Sequence, residues 1–160
     1  MAMRMMLAAL LLAAGISGGA LAQQAPPPYG SAITLADARR VVQAAIADVE
    51  RQNFPPMAVA VVDWAGHLVA FERVDSTQTA SLTIAIEKAR TAAGYRRPSK
   101  AFEDVLAGGR TAILALPGVL PSEGGVPIVR EGRIVGAVGV SGGTAQQDGV
   151  IAAAGIAALR

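Results

Sequence analysis

From residue 34 the apolar positions follow two alternating periods. Leu35, Ala38, Val41, Val42, Ala45, Ile46 and Val49 recur at three- and four-residue spacing, which predicts a helix with one buried stripe. Thr34 stands at its N-cap and Asp37 three residues on matches a capping box. The helix must end before Pro55-Pro56, because proline has no N–H to give. The period then changes. Residues 57–62 (MAVAVV) form an unbroken run rich in β-branched side chains, the pattern of a buried strand, and Met57 belongs to the core. Asp63-Trp64-Ala65-Gly66 reads as a turn, and residues 67–73 (HLVAFER) alternate as the returning strand. So short a loop makes the two strands antiparallel.

Helical spacing resumes over residues 80–93, with Leu82, Ala85, Ile86, Ala89 and Ala93 as the expected core stripe. Ile84, Lys88 and Thr91 share another face of that helix. Residues 94–99 (GYRRPS) break it. Ser99 is placed to cap a short helix over 100–106, which Gly108-Gly109 ends. Residues 111–116 fit a strand or a helix equally. Residues 126–129 and 133–140 form a second hairpin about Glu131-Gly132. A terminal helix follows over 144–159, with Gln147, Ile151, Ala154 and Ala158 on one face. The order of helix, hairpin, helices, hairpin, helix predicts an α+β fold, an antiparallel sheet covered by helices on one or both faces.

The N-terminal end departs from this pattern. Arg4, the apolar run after it and Ala20-Leu21-Ala22 have the grammar of a signal peptide over residues 1–22. Residues 23–31 (QQAPPPYGS) read as a proline-rich linker, either a tether or an arm reaching a neighbouring subunit. Residues 32–160 then form one domain. Arg4 is the leader's one charged residue, so 13 of the chain's 14 basic residues and all 12 acidic ones remain after cleavage. A balance so near neutral carries no nucleic-acid footprint, and no membrane span is expected once the leader is gone. The chain has no cysteine, so an oxidising compartment neither threatens nor staples it.

Charge and composition narrow the chemistry. With one histidine, His67, and no cysteine, an ordinary zinc site cannot be built. Gly139-Val140-Ser141-Gly142-Gly143 matches a hydrolase nucleophile elbow in letters, but no histidine follows Ser141 to activate it. The better reading is a strand-to-helix turn. Its N–H groups either hold a carboxylate or other anion at a helix N-terminus, or serve turn geometry alone. Gly136 and Gly139 lack dinucleotide-fingerprint spacing and instead let a strand lie close to a helix or a flat ligand. Lys88 is either a solvated lysine or a pocket cation beside Thr91. Arg96 and Arg97 are either a solvated pair or partners for ligand carboxylates. His67, next to a turn, reads first as a solvent-facing histidine.

Five segments taken together resemble a known family: residues 56–63 (PMAVAVVD) with Gly66, 71–75 (FERVD), 84–92 (IAIEKARTA), 124–128 (GGVPI) and 136–143 (GAVGVSGG) with Gln147-Asp148. The combination is similar to the GlcG/HbpS family of haem-binding and haem-degrading proteins. The same domain forms the C-terminal part of propanediol-utilisation corrinoid adenosyltransferases. The resemblance implies a profilin-like fold, homo-oligomers from dimer to octamer, and a periplasmic or secreted protein that binds haem, with haem breakdown or redox sensing in some members. It places Lys88, Thr91, Arg96, Gly125, Pro127, Gly139, Ser141, Gly142 and Gly143 as candidates for a haem or anion pocket. Lys88 and Arg96 would then meet the haem propionates. His67 and Thr91 are the candidate axial ligands by chemical type. Two other readings stay open. One is a cofactor-free accessory subunit of a periplasmic dehydrogenase, with the 23–31 arm as a contact. The other is an enzyme or binder for a small 2-oxo or 2-hydroxy acid, its anion held by Lys88 and the 141–143 amides.

Overall fold

The computed structural model describes residues 25–160, so the signal-peptide reading of residues 1–22 lies outside the described residues. Helix α1 (Leu35–Arg51) is followed by the hairpin β1 (Ala58–Asp63) and β2 (Leu68–Arg73). Helices α2 (Thr79–Tyr95) and α3 (Lys100–Ala107) come next, then a 3-10 helix (Thr111–Ala115) where the pattern was ambiguous. The hairpin β3 (Gly125–Arg130) and β4 (Arg133–Ser141) leads into α4 (Ala145–Ala157). The fold is α+β, as expected. Its sheet is fully antiparallel in the order β2-β1-β4-β3.

Alternation along the central strands sorts the core into two unlike halves. Met57 just before β1, Val59 and Val61 of β1, and Val138 and Val140 of β4 face one way and pack against Val41, Val42, Ala45 and Val49 of α1 and Ile151 of α4. Ala58, Ala60 and Val62 of β1 and Ala137 of β4 face the other way, against Ala85, Ala89, Ala92 and Ala93 of α2. The second half is built of small side chains, so α2 lies almost on the sheet. A Cβ added at Gly139 would stand 2.0 Å from the Ala85 carbonyl oxygen, and one at Gly125 2.1 Å from that of Lys88. The close-approach reading therefore applies at Gly139 with a helix as the neighbour, whereas Gly136 meets Ile33 and the Val62 carbonyl instead.

Several expected faces turn. Thr34 caps α1 by accepting from the Asp37 amide, but the Asp37 carboxylate leaves the box open and pairs with Arg40 and with Arg130 at 2.8 Å. Leu35 is 47 % exposed and does not join the stripe. In α2, Leu82 and Ile86 are only half-buried, whereas Lys88 and Thr91 point inward. In α4 the buried set is Asp148, Ile151, Ala152 and Gly155, one position round from the expected Gln147 face. Ser99 makes no capping bond to α3, and its hydroxyl is used elsewhere. Residues 28–33 are tied to the fold: past the end of β1, Pro28 accepts from the Ile134 amide at 2.8 Å, and the Ile33 amide donates to Val135 at 2.8 Å. Among the described residues no helix is long and apolar enough to cross a membrane.

Candidate functional site

Lys88 leaves the small-residue face of α2 and ends in a sealed ion pair. It is 2 % exposed, and its Nζ donates to Asp148 Oδ2 at 2.7 Å. Asp148 sits in the first turn of α4, on the other side of the sheet, so the pair joins the two helical layers. The local sequence fixes this turn. Thr144 Oγ1 accepts from the Gln147 amide and the Gln147 side chain accepts from the Thr144 amide, a complete capping box. The Gly143 amide donates to Asp148 Oδ1 at 3.0 Å, and the Gly142 amide also serves this carboxylate. Burial pushes the Asp148 carboxyl above its ordinary range, opposed by the Lys88 ammonium and these two amides. Gly124 completes the enclosure. At φ +124° it tolerates no side chain easily, and a Cβ there would stand 2.9 Å from Asp148 Cβ and 3.0 Å from Lys88 Nζ.

The strand-to-helix turn is therefore an anion site filled from within. The groups that a small acid would need, Lys88 and the amides of Gly142 and Gly143, are committed to Asp148. The neighbouring candidates are also engaged. The Thr91 hydroxyl donates to the Gly118 carbonyl at 3.0 Å and accepts from the Leu120 amide at 2.9 Å, pinning the 117–123 loop. The Ser99 hydroxyl accepts from the Gly125 amide at 2.9 Å and donates to the Ser122 carbonyl at 2.6 Å. Ser141 donates to the Ser81 hydroxyl at 3.2 Å. Lys88, Thr91, Gly125, Gly139, Ser141, Gly142 and Gly143 are thus brought together, but as an interior junction in place of the expected pocket wall.

Three candidates lie apart from that junction. Pro127 lines a cavity of about 290 Å³ against α4, with Ile128, Ile156 and Leu159. Arg96 adopts the left-handed conformation that ends α2, its guanidinium 5.5 Å from the Tyr29 ring. Tyr29 caps the same helix end by donating to the Ala93 carbonyl at 3.0 Å, and stacks obliquely on Trp64. His67 has its side chain 80 % exposed, with Nδ1 3.1 Å from Asp63 Oδ2. Partial burial raises the Asp63 carboxyl, but the amide and ring of His67 and the Ala65 amide outweigh this and hold it below its ordinary value.

Another cavity, with both apolar walls and cationic groups, lies elsewhere. A groove of about 520 Å³ runs between the end of α2, α3 and the 3-10 helix. Phe102, Val105, Ile113 and Leu116 give it apolar walls, and Arg97 and Arg110 stand at its margin. Tyr95 meets the Phe102 ring edge-on at 5.1 Å, and the Arg97 guanidinium lies 5.8 Å from the same ring. Neither Arg97 nor Arg110 pairs with a carboxylate among the described residues. Phe102 and Arg110 were not singled out from the sequence. An amphipathic eight-residue helix ending in Gly-Gly-Arg was the one available signal.

The model of the family described as "Haem degrading protein HbpS-like" matches residues 33–157. The chain belongs to the HbpS-like family. Protein GlcG of Escherichia coli K12 is 42 % identical over 104 residues, which cover 65 % of this chain and 77 % of that protein. Corrinoid adenosyltransferase PduO of Salmonella typhimurium is 29 % identical over 143 residues, 83 % of this chain but only 42 % of PduO. Among solved structures, that of HbpS superposes with a TM-score of 0.75 at 30 % identity, covering 82 % of this chain and 92 % of the other. The PduOC:Heme complex superposes with a TM-score of 0.72 at 27 % identity, covering 79 % and 94 %. The HbpS-like family thus accounts for the whole sheet and the helices on both of its faces.

Proposed function

We propose that this protein binds haem in the groove between α2, α3 and the 3-10 helix. The observation that carries this reading is the pairing of apolar walls with two arginines that have no internal carboxylate partner. Haem has the complementary form: flat apolar faces and two propionates on one edge. The groove's roughly 520 Å³ falls within the range of small-molecule sites, about 300–1,000 Å³. Phe102, Val105, Ile113 and Leu116 would cover a porphyrin face, and Arg97 and Arg110 would meet the propionates, since guanidinium matches carboxylate in plane. The neighbour solved as a haem complex supports the ligand class. Bound haem would supply iron redox chemistry, while the chain's own residues hold and orient it. Titration of the purified protein with hemin should give a saturable Soret shift; its absence would remove the reading.

The signal-peptide pattern of residues 1–22 supports a periplasmic or secreted location. The mass of the exported protein tests it: a mature chain beginning at Gln23 is expected, and an intact Met1 in the cytoplasmic fraction would overturn it.

A further inference from the structure

We infer that the groove recognises tetrapyrroles by their carboxylates and flat faces, without a bond to the metal, so that metal-free porphyrins are ligands as good as haem. This rests on the placement of haem in the groove. Among the described residues, those around it include no histidine, cysteine, methionine or lysine. One lining side chain has the chemistry to ligate iron, the Tyr95 phenol, and it is already spent. Its hydroxyl donates to the Pro117 carbonyl at 2.7 Å, and its ring is held edge-on against Phe102. Turning the phenol toward a metal would break that bond and release the loop that Thr91 also pins. His67 lies outside the groove and Thr91 is buried with both its hydrogen bonds made. What the groove offers is apolar contact and two guanidinium groups. Both are indifferent to what occupies the porphyrin centre. The ligand class is then a planar tetrapyrrole carrying two free carboxylates, with or without iron.

The experiment compares three probes on the full-length mature protein: hemin, protoporphyrin IX and protoporphyrin IX dimethyl ester, followed by porphyrin absorbance and fluorescence. Hemin and protoporphyrin IX should bind within about threefold of each other, and the ester at least about tenfold more weakly, the loss of two exposed charge pairs. Arg97→Ala/Arg110→Ala should weaken hemin and protoporphyrin IX equally and leave the ester unchanged. Circular dichroism would verify that this surface variant is folded. If hemin binds and protoporphyrin IX does not, iron ligation carries the affinity: the inference is overturned while haem binding stands. If the ester binds as well as the free acid, the arginines do not read carboxylates and the inference also falls. If none of the three binds, the haem reading itself falls with it.

Discussion

The Lys88–Asp148 pair should behave as a buried junction whose two halves are unequal. Asp148→Asn keeps an oxygen for the Gly142 and Gly143 amides but leaves the Lys88 ammonium sealed without a counter-charge. Breaking a buried pair in this way costs about 3–5 kcal/mol. Lys88→Met removes the cation instead. Asp148 then keeps two amide donors, and because burial already pushes its carboxyl up, it can take a proton and shed its charge. That variant should lose less, about 2–3 kcal/mol, near the lower limit for such pairs. The double variant buries no charge and should be more stable than the sum of the single losses by about 1–3 kcal/mol. Urea unfolding of the four proteins measures this. A domain of this size has roughly 5–15 kcal/mol to lose, so all four should fold at 25 °C. A loss under about 1 kcal/mol for Asp148→Asn, or single losses that simply add, would refute the buried pair.

Further outcomes follow from the same geometry. Gly139→Ala would drive a Cβ into the Ala85 and Ala89 backbone and should cost about 3 kcal/mol or more in thermal unfolding, whereas Gly94→Ala, with nothing within 4 Å, should stabilise α2 by about 0.5–1 kcal/mol. An unaffected Gly139→Ala protein would mean that α2 stands off the sheet. Thr91→Val should cost about 1–3 kcal/mol and speed amide exchange over residues 117–123, and unchanged exchange there would contradict its pinning role. The Asp63 carboxylate should make stability depend on pH. Asp63, lowered, contributes above 3.8 and loses it as pH falls through its folded value, so Asp63→Asn should flatten the acid-side loss.

Element order was legible because apolar period and turn chemistry agree along most of the chain. The two hairpins and the Thr34 and Thr144 starts all rest on local rules. Burial of charge was not legible by the same means. A hydrophobic stripe counts Asp148 as polar, so the α4 face was set one residue off, at Gln147. Lys88 held the missing signal: a lysine among small apolar helix residues needs an anion, and Asp148 beside a glycine turn supplies one. The groove escaped for a different reason. It is assembled from the end of α2, a one-face helix and an irregular segment, and none of these carries a periodic signature of its own. Arg97 was weighed only as half of a pair with Arg96, yet the left-handed turn at Arg96 sends the two guanidinium groups to different rings, Tyr29 and Phe102.

Hemin affinity in variants of the groove tests the account most directly. Arg97→Ala/Arg110→Ala should weaken hemin binding at least about tenfold, equivalent to about 1.4 kcal/mol. His67→Ala, remote from the groove, should bind hemin as the unaltered protein does. The opposite pattern, a lost Soret shift in His67→Ala with the arginine variant unchanged, would contradict the placement of haem between α2, α3 and the 3-10 helix.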